Sequence, residues 1–373
     1  MSKKKRLVIH IGSPKTGTSY IQNALEDNSQ AILKLGYQFP SCFKDIIYLG
    51  QRNHIPAATL GLNIPTDISQ LVGTGPDGTE PTGLHLVLRD LYGFSKIPPI
   101  EFWPQQVQEY KDILFSDLLE SPTENAIISS EAFFHTYQTQ EECCRLIKEL
   151  SYIFSKIDII VYLRRQIDYA SSQWLQCLRE GSGSKSIPKP EEFEKHYMSL
   201  NYFNQISMWQ SYSENVIVRP YQSELWSESN LFMDFLHYSG IDENASTFNY
   251  KLPPRSNVSF SPIYSRLLVD YFSPSNTSSW SKKSRDKFLQ LLDLLPPDKR
   301  KEKHYTHSEF DRYSRMYDMS NLKLSKSMKQ DELTCLLHND INGQFFDEKR
   351  RDNDDFRLLI RALKTIIEAE LEE

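Results

Sequence analysis

Two glycines, one lysine and four hydroxyls fall within eight consecutive residues, Gly12-Ser-Pro14-Lys15-Thr16-Gly17-Thr18-Ser19. A glycine lets an oxygen approach the backbone, a lysine brings a positive charge, and hydroxyls add donors. Such a set suits a bound oxyanion such as a phosphate. A second anion contact is offered by Arg164, followed eight residues on by Ser172, because a guanidinium presents a planar fork of donors. Arg165 is the alternative to Arg164, one residue out of step. Two residues have the chemistry to take a proton from an attacking hydroxyl. Glu131 directly follows the apolar run 126–130, and His54 stands in Arg52-Asn53-His54.

Position along the chain decides whether these residues can meet. Residues 6–12 (RLVIHIG) are almost continuously apolar, as a parallel strand covered on both faces should be. From Gly17 to about Leu35 the apolar residues Tyr20, Ile21, Ala24, Leu25, Ile32 and Leu35 keep helical spacing, with Asn28 or Ser29 placed to restart the helix. A strand, a glycine turn and a helix N-terminus together aim backbone N–H groups and a helix dipole at one spot. Further buried runs at 126–130, 158–163 and 215–218 alternate with helical patterns near 140–154, 166–179, 200–213 and 229–239. The alternation predicts an α/β fold whose parallel sheet has right-handed crossovers. Glu131 and Arg164 then emerge at the carboxyl edge of that sheet, where open α/β folds bind ligands.

The loop departs from the ATP-binding pattern GxxxxGK[ST]: Thr18 takes the place of its lysine, and Lys15 lies two residues before Gly17. Pro14 to Tyr20 instead resembles the 5′-phosphosulfate loop of the P-loop sulfotransferases, P-K-[ST]-G-T-[TS]-[aromatic or apolar]. These enzymes use 3′-phosphoadenosine-5′-phosphosulfate (PAPS). The resemblance extends over roughly residues 6–40 and 125–260 and is closer to bacterial members. It implies a three-layer P-loop-type fold with a central parallel sheet. It implies that Lys15 touches the oxygen bridging phosphorus and sulfur, that Pro14, Thr16, Gly17, Thr18 and Ser19 frame the 5′-phosphate, and that Arg164 and Ser172 hold the 3′-phosphate. It implies no metal. At the strand end of Glu131 the cytosolic relatives carry a His and some glycan-modifying members a Glu, which makes Glu131 the first candidate base and His54 the second. Arg219 and Tyr221 are candidates to line the nucleoside, against a packing role. Pro254-Arg255-Ser256-Asn257 stands where relatives have a basic loop but lacks their RKG pattern.

Residues 1–255 are expected to form the PAPS-binding domain and 256–373 a mostly helical extension packed on it, ending in an amphipathic helix with Phe356, Leu359, Ile360 and Leu363. Residues 61–104, rich in Gly and Pro without a steady period, read as a loop insertion. Its Gly73-Thr-Gly75-Pro-Asp-Gly78 matches GxGxxG but follows no apolar strand and favours turns. Residues 181–190 have the composition of a lid.

The net charge of −6 and pI near 5.9 argue against nonspecific binding of nucleic acid or anionic membrane, so an anion site must be made locally positive by placed Lys and Arg side chains. Five cysteines without CxxC spacing fit a reducing compartment, and no run reaches the roughly 20 apolar residues that span a bilayer. The expectation is a cytoplasmic enzyme that moves a sulfuryl group to a hydroxyl or amine. A carbohydrate or glycolipid precursor is the favoured acceptor and a small alcohol or phenol the rival. Tyr20, Trp103, Trp174 and Trp209 offer faces for a sugar ring, against burial in the core. A small-molecule kinase and a non-catalytic nucleotide- or glycan-binding relative stay open, and the sequence sets no oligomeric state.

Overall fold

In the computed structural model, β1 (Lys4–His10) is the middle strand of a five-stranded, wholly parallel sheet ordered β2-β3-β1-β4-β5. Its partners are β2 (Tyr37–Gln38), β3 (Asn125–Ser129), β4 (Phe154–Leu163) and β5 (Asn215–Pro220). The structure describes residues 4–43, 54–64, 99–180, 186–196, 199–241, 249–253 and 303–329, together with a few single positions. The GxGxxG segment, the Pro254–Asn257 loop, most of the 61–104 insertion and the final amphipathic pattern lie outside the described residues.

Both faces of the sheet are covered, which is why its strands read as apolar runs rather than alternating ones. Val8, Ile127, Ile160 and Tyr162 pack on one face with α1 (Thr18–Asp27), and with α10 (Leu231–Tyr238) through Leu231, Phe232 and Phe235. Leu7 and Ile9 alternate to the other face and are equally buried. After α1 come α2 (Ser29–Lys34), α3 (Ile55–Ala58), α4 (Trp103–Glu120), α5 (Ala132–His135) and α6 (Gln140–Leu150). α6 opens on a capping box in which the Thr139 hydroxyl and the Glu142 carboxylate satisfy each other's backbone N–H groups.

The chain leaves β1 toward β2, returns to β3, and then crosses to β4 and β5. The direction of winding therefore reverses around β1, and topologies of this kind bind ligands outside the carboxyl ends of the strands at such a point.

The chain groups into two compact units. The first, Met1–Arg164 with Asn201–Ser256 and Lys323–Leu333, holds the sheet and α9 (Tyr202–Gln210). The second takes Arg165–Leu200, Asn257–Leu322 and Thr334–Glu373, with α7 (Gln166–Glu180), α8 (Pro190–His196) and most of α11 (His307–Met328). Residues 165–200 thus group with the residues after 256. Within the second unit, Gln166 and Asn321 exchange reciprocal amide hydrogen bonds at 2.7 and 3.2 Å, and the Tyr305 hydroxyl donates to Asp168 at 2.8 Å. Among the described residues no helix is long and apolar enough to cross a membrane.

Candidate functional site

The loop from Gly12 to Gly17 leaves β1 and turns into α1 through three positive φ angles: Gly12 at +32°, Lys15 at +64° and Gly17 at +78°. Gly17 cannot carry a side chain for a second reason. A Cβ there would stand 2.5 Å from Leu231 Cδ2 and 3.3 Å from Tyr221 Cε2. As the N-cap of α1 it also leaves the first-turn N–H groups without a side-chain cap. Lys15 holds a left-handed conformation without being glycine, the kind of local strain that collects at functional sites.

The hydroxyls of this loop divide into two kinds. Thr16 Oγ1 donates to the Ser13 carbonyl and braces the turn. Ser13 Oγ and Thr18 Oγ1 are fully buried and have no hydrogen-bond partner among the described residues. A buried hydroxyl without a partner costs free energy, and an oxyanion seated on the loop would supply an acceptor. Pro14 and Lys15 are half-buried and Ser19 is exposed in the first turn of α1.

Arg164, the first residue after β4, lies against this loop, with Nη1 donating to the Lys15 carbonyl at 3.4 Å. Two struts fix its backbone: the Tyr202 hydroxyl donates to the Arg164 carbonyl at 2.9 Å, and Tyr221 N–H donates to the neighbouring Leu163 carbonyl at 2.7 Å. The Tyr221 ring centre is 5.8 Å from the guanidinium carbon, within cation–π range. Two basic residues 149 apart in sequence thus meet at the carboxyl edge of the sheet of an acidic protein. Tyr202 was not among the expected site residues, because its role depends on a main-chain oxygen that sequence spacing does not reveal.

The remaining candidates separate. Glu131 is half-buried two residues beyond β3, at the same edge, and its carbonyl accepts from His135 Nδ1 at 2.8 Å. His54 is buried with both ring nitrogens in use: Nδ1 accepts from Ser129 N–H at 3.0 Å, so Nε2 carries the proton and donates to the Pro40 carbonyl at 3.0 Å. Burial pushes its pKa down to about 4. To act as a base His54 would have to give up a structural bond. Arg165 is ion-paired with Asp168 at 3.6 Å. Ser172 stands on α7 in the second unit.

Arg219 is buried and braces the core. Its guanidinium pairs with the buried Asp234 (Nη2 to Oδ1, 3.0 Å) and lies 3.5 Å from the Tyr238 ring centre, while the Tyr162 hydroxyl donates to Asp234 at 2.8 Å. Trp103, Trp174 and Trp209 are fully buried and present no face to a sugar. His304 Nδ1 lies 2.9 Å from the buried Ser265 hydroxyl, and His307 pairs with Asp311 at 3.0 Å. Among the described residues no group of three or more His, Cys, Asp or Glu could hold a metal ion. A cavity of about 440 Å³ opens beside β2, between Phe39, Phe43, His54 and Asp117, and no residue of the phosphate loop lines it.

No family model matches the chain. Over 157 residues the chain is 30% identical to an uncharacterised protein of Archaeoglobus fulgidus, a match covering 41% of each chain, so the chain spans well under half of that relative's length. Its fold aligns with the crystal structure of a sulfotransferase from Alicyclobacillus acidocaldarius over 89% of this chain and 98% of the other, at 10% identity and a TM-score of 0.38.

Proposed function

We propose that the chain is a PAPS-dependent sulfotransferase that adds a sulfuryl group to a hydroxyl or amine, with a carbohydrate or glycolipid precursor as acceptor. The observation that carries the reading is the meeting of Arg164 with the Lys15 loop, beside buried loop hydroxyls that lack partners among the described residues. A lone phosphate loop would fit many nucleotides. A second cation braced against it suits a nucleotide with phosphates at both ends, and the loop sequence resembles the phosphosulfate pattern. The residues present fit such a ligand: the glycines clear space, α1 offers uncapped N–H groups, and Lys15 and Arg164 supply the charge.

Bound PAPS would supply the activated sulfuryl group, and this chain's residues would do the rest. Glu131 takes the proton as the acceptor oxygen or nitrogen bonds to sulfur. Lys15 and the loop N–H groups would hold the phosphosulfate and stabilise negative charge on its leaving phosphate oxygen. In-line transfer of this kind depends on positioning and electrostatics. Arg164 anchors the 3′-phosphate. Ser172 is assigned to the same phosphate on the resemblance alone. The cytoplasm is the proposed location, from the cysteine pattern.

Incubation with PAPS and a panel of saccharides, alcohols, phenols and amines, read by mass spectrometry, tests the reading. A gain of roughly 80 Da on an acceptor, falling about 100- to 1000-fold in Lys15→Ala and Glu131→Gln, is expected. Transfer of phosphate from ATP instead would establish the kinase alternative, which the missing GK[ST] disfavours.

A further inference from the structure

Gln22, Ser129 and His10 form a buried polar chain that the chemistry above does not use. Ser129, the last residue of β3, sits opposite His10, the last residue of β1. Gln22 Nε2 on α1 lies 3.3 Å from the Ser129 carbonyl and 3.2 Å from Ser129 Oγ, and His10 Nδ1 lies 2.8 Å from the same Oγ. A carbonyl can only accept, so the Gln22 amide must turn its NH₂ this way. With that amide donating to Oγ, and His10 Nδ1 the one acceptor within reach of the hydroxyl among the described residues, the Ser129 proton is directed to Nδ1. His10 therefore keeps its own proton on Nε2, which has no hydrogen-bond partner among the described residues; the imidazole packs edge-on against the rings of Phe235 and Tyr162. Burial holds the His10 pKa down to about 3, so the ring is neutral and able to accept.

The place of this chain in the fold gives it a use. His10 stands two residues before Gly12 and Gln22 five residues after Gly17, so both ends of the phosphate loop are fastened to Ser129. The backbone of Ser129 is held in addition by His54, through Ser129 N–H to Nδ1 and His54 N–H to the Ser129 carbonyl. Two residues further on is Glu131. We propose that Ser129 is a positioning residue that locks the outgoing end of β3, and with it Glu131, to the entry and exit of the phosphate loop. The proposal rests on the sulfotransferase reading, in which Glu131 and Lys15 act on the same transfer.

Ser129→Ala and Gln22→Met remove the hydroxyl and the amide with little change of shape. Conversion of PAPS to 3′-phosphoadenosine 5′-phosphate should fall about 10- to 100-fold in each, while the Kd of that product moves less than about threefold, because misplacement costs rate rather than loop contacts. Unchanged turnover, or equal losses in turnover and binding, overturns the proposal. The His10 tautomer, read from ¹⁵N shifts, provides a readout independent of activity. The wild type should show Nε2–H, and Gln22→Met should release Oγ and shift the proton population toward Nδ1; an Nδ1–H tautomer in the wild type sinks the network. If the wild type neither binds nor turns over the nucleotide, the sulfotransferase reading fails, and the tautomer alone then decides whether the network exists.

Discussion

Gly17→Ala tests whether the phosphate loop needs glycine for the two reasons given above. The first cost is conformational. At φ +78° an alanine sits in the left-handed region, which costs a residue with a Cβ about 1–2 kcal/mol. The second is steric, because the new methyl would stand 2.5 Å from Leu231 Cδ2, and overpacking typically costs about 1–3 kcal/mol. Leu231 Cδ2 is the tip of a side chain and can rotate, although the residue is buried, so the sum should fall near 2–4 kcal/mol. Urea unfolding gives that number directly. The two causes separate in a double-mutant cycle with Leu231→Ala, which removes the obstacle but not the strained φ. The pair should cost about 1–2 kcal/mol less than the sum of the single variants. A Gly17→Ala protein within about 0.5 kcal/mol of the wild type would refute the conformational argument. Strict additivity with Leu231→Ala would refute the steric one.

Stability should also depend on pH through the two buried histidines. Burial lowers His10 to about 3 and His54 to about 4 from an ordinary 6.5. Between those values the unfolded chain binds protons that the folded one refuses, so stability is lost as pH falls from about 6.5 toward 4, by up to ~1.4 kcal/mol per pH unit for each histidine. His54→Gln should flatten the slope of unfolding free energy against pH by about that amount over the window, and an unchanged slope would contradict it. Asp234→Ala should cost about 3–5 kcal/mol in urea unfolding because it leaves Arg219 buried without its carboxylate. Tyr162→Phe should cost only about 1 kcal/mol, the worth of one hydrogen bond, and equal losses in the two variants would argue against the ion pair.

Much of the scaffold was legible because a covered parallel sheet demands short apolar runs. β1, β3, β4 and β5 all fall on runs visible in the sequence, and the loop after β1 could be placed from its glycines alone. α4 was not anticipated, although Tyr110, Leu114 and Leu118 repeat every four residues and are all buried. The expected insertion ended at residue 104, and the periodicity beyond it was unassigned. β2 is two residues long and leaves no periodicity to detect. For the site, the sequence supplied residue types but not partners. The Arg165–Asp168 pair was within reach as an i, i+3 spacing at a helix start. The double engagement of His54 was not, since its partners are the Ser129 backbone N–H, 75 residues away, and the Pro40 carbonyl. Main-chain donors and acceptors are present at every position, so no residue type announces them.

Isothermal titration with 3′-phosphoadenosine 5′-phosphate in the presence of a magnesium chelator bears most directly on the function. Micromolar binding by the wild type is predicted, weakened about 10- to 100-fold in Lys15→Ala and again in Arg164→Ala, the worth of one charged hydrogen bond each. Absence of binding, binding indifferent to both substitutions, or tighter binding of ATP once magnesium is restored would contradict a site built for a nucleotide with phosphates at both ends.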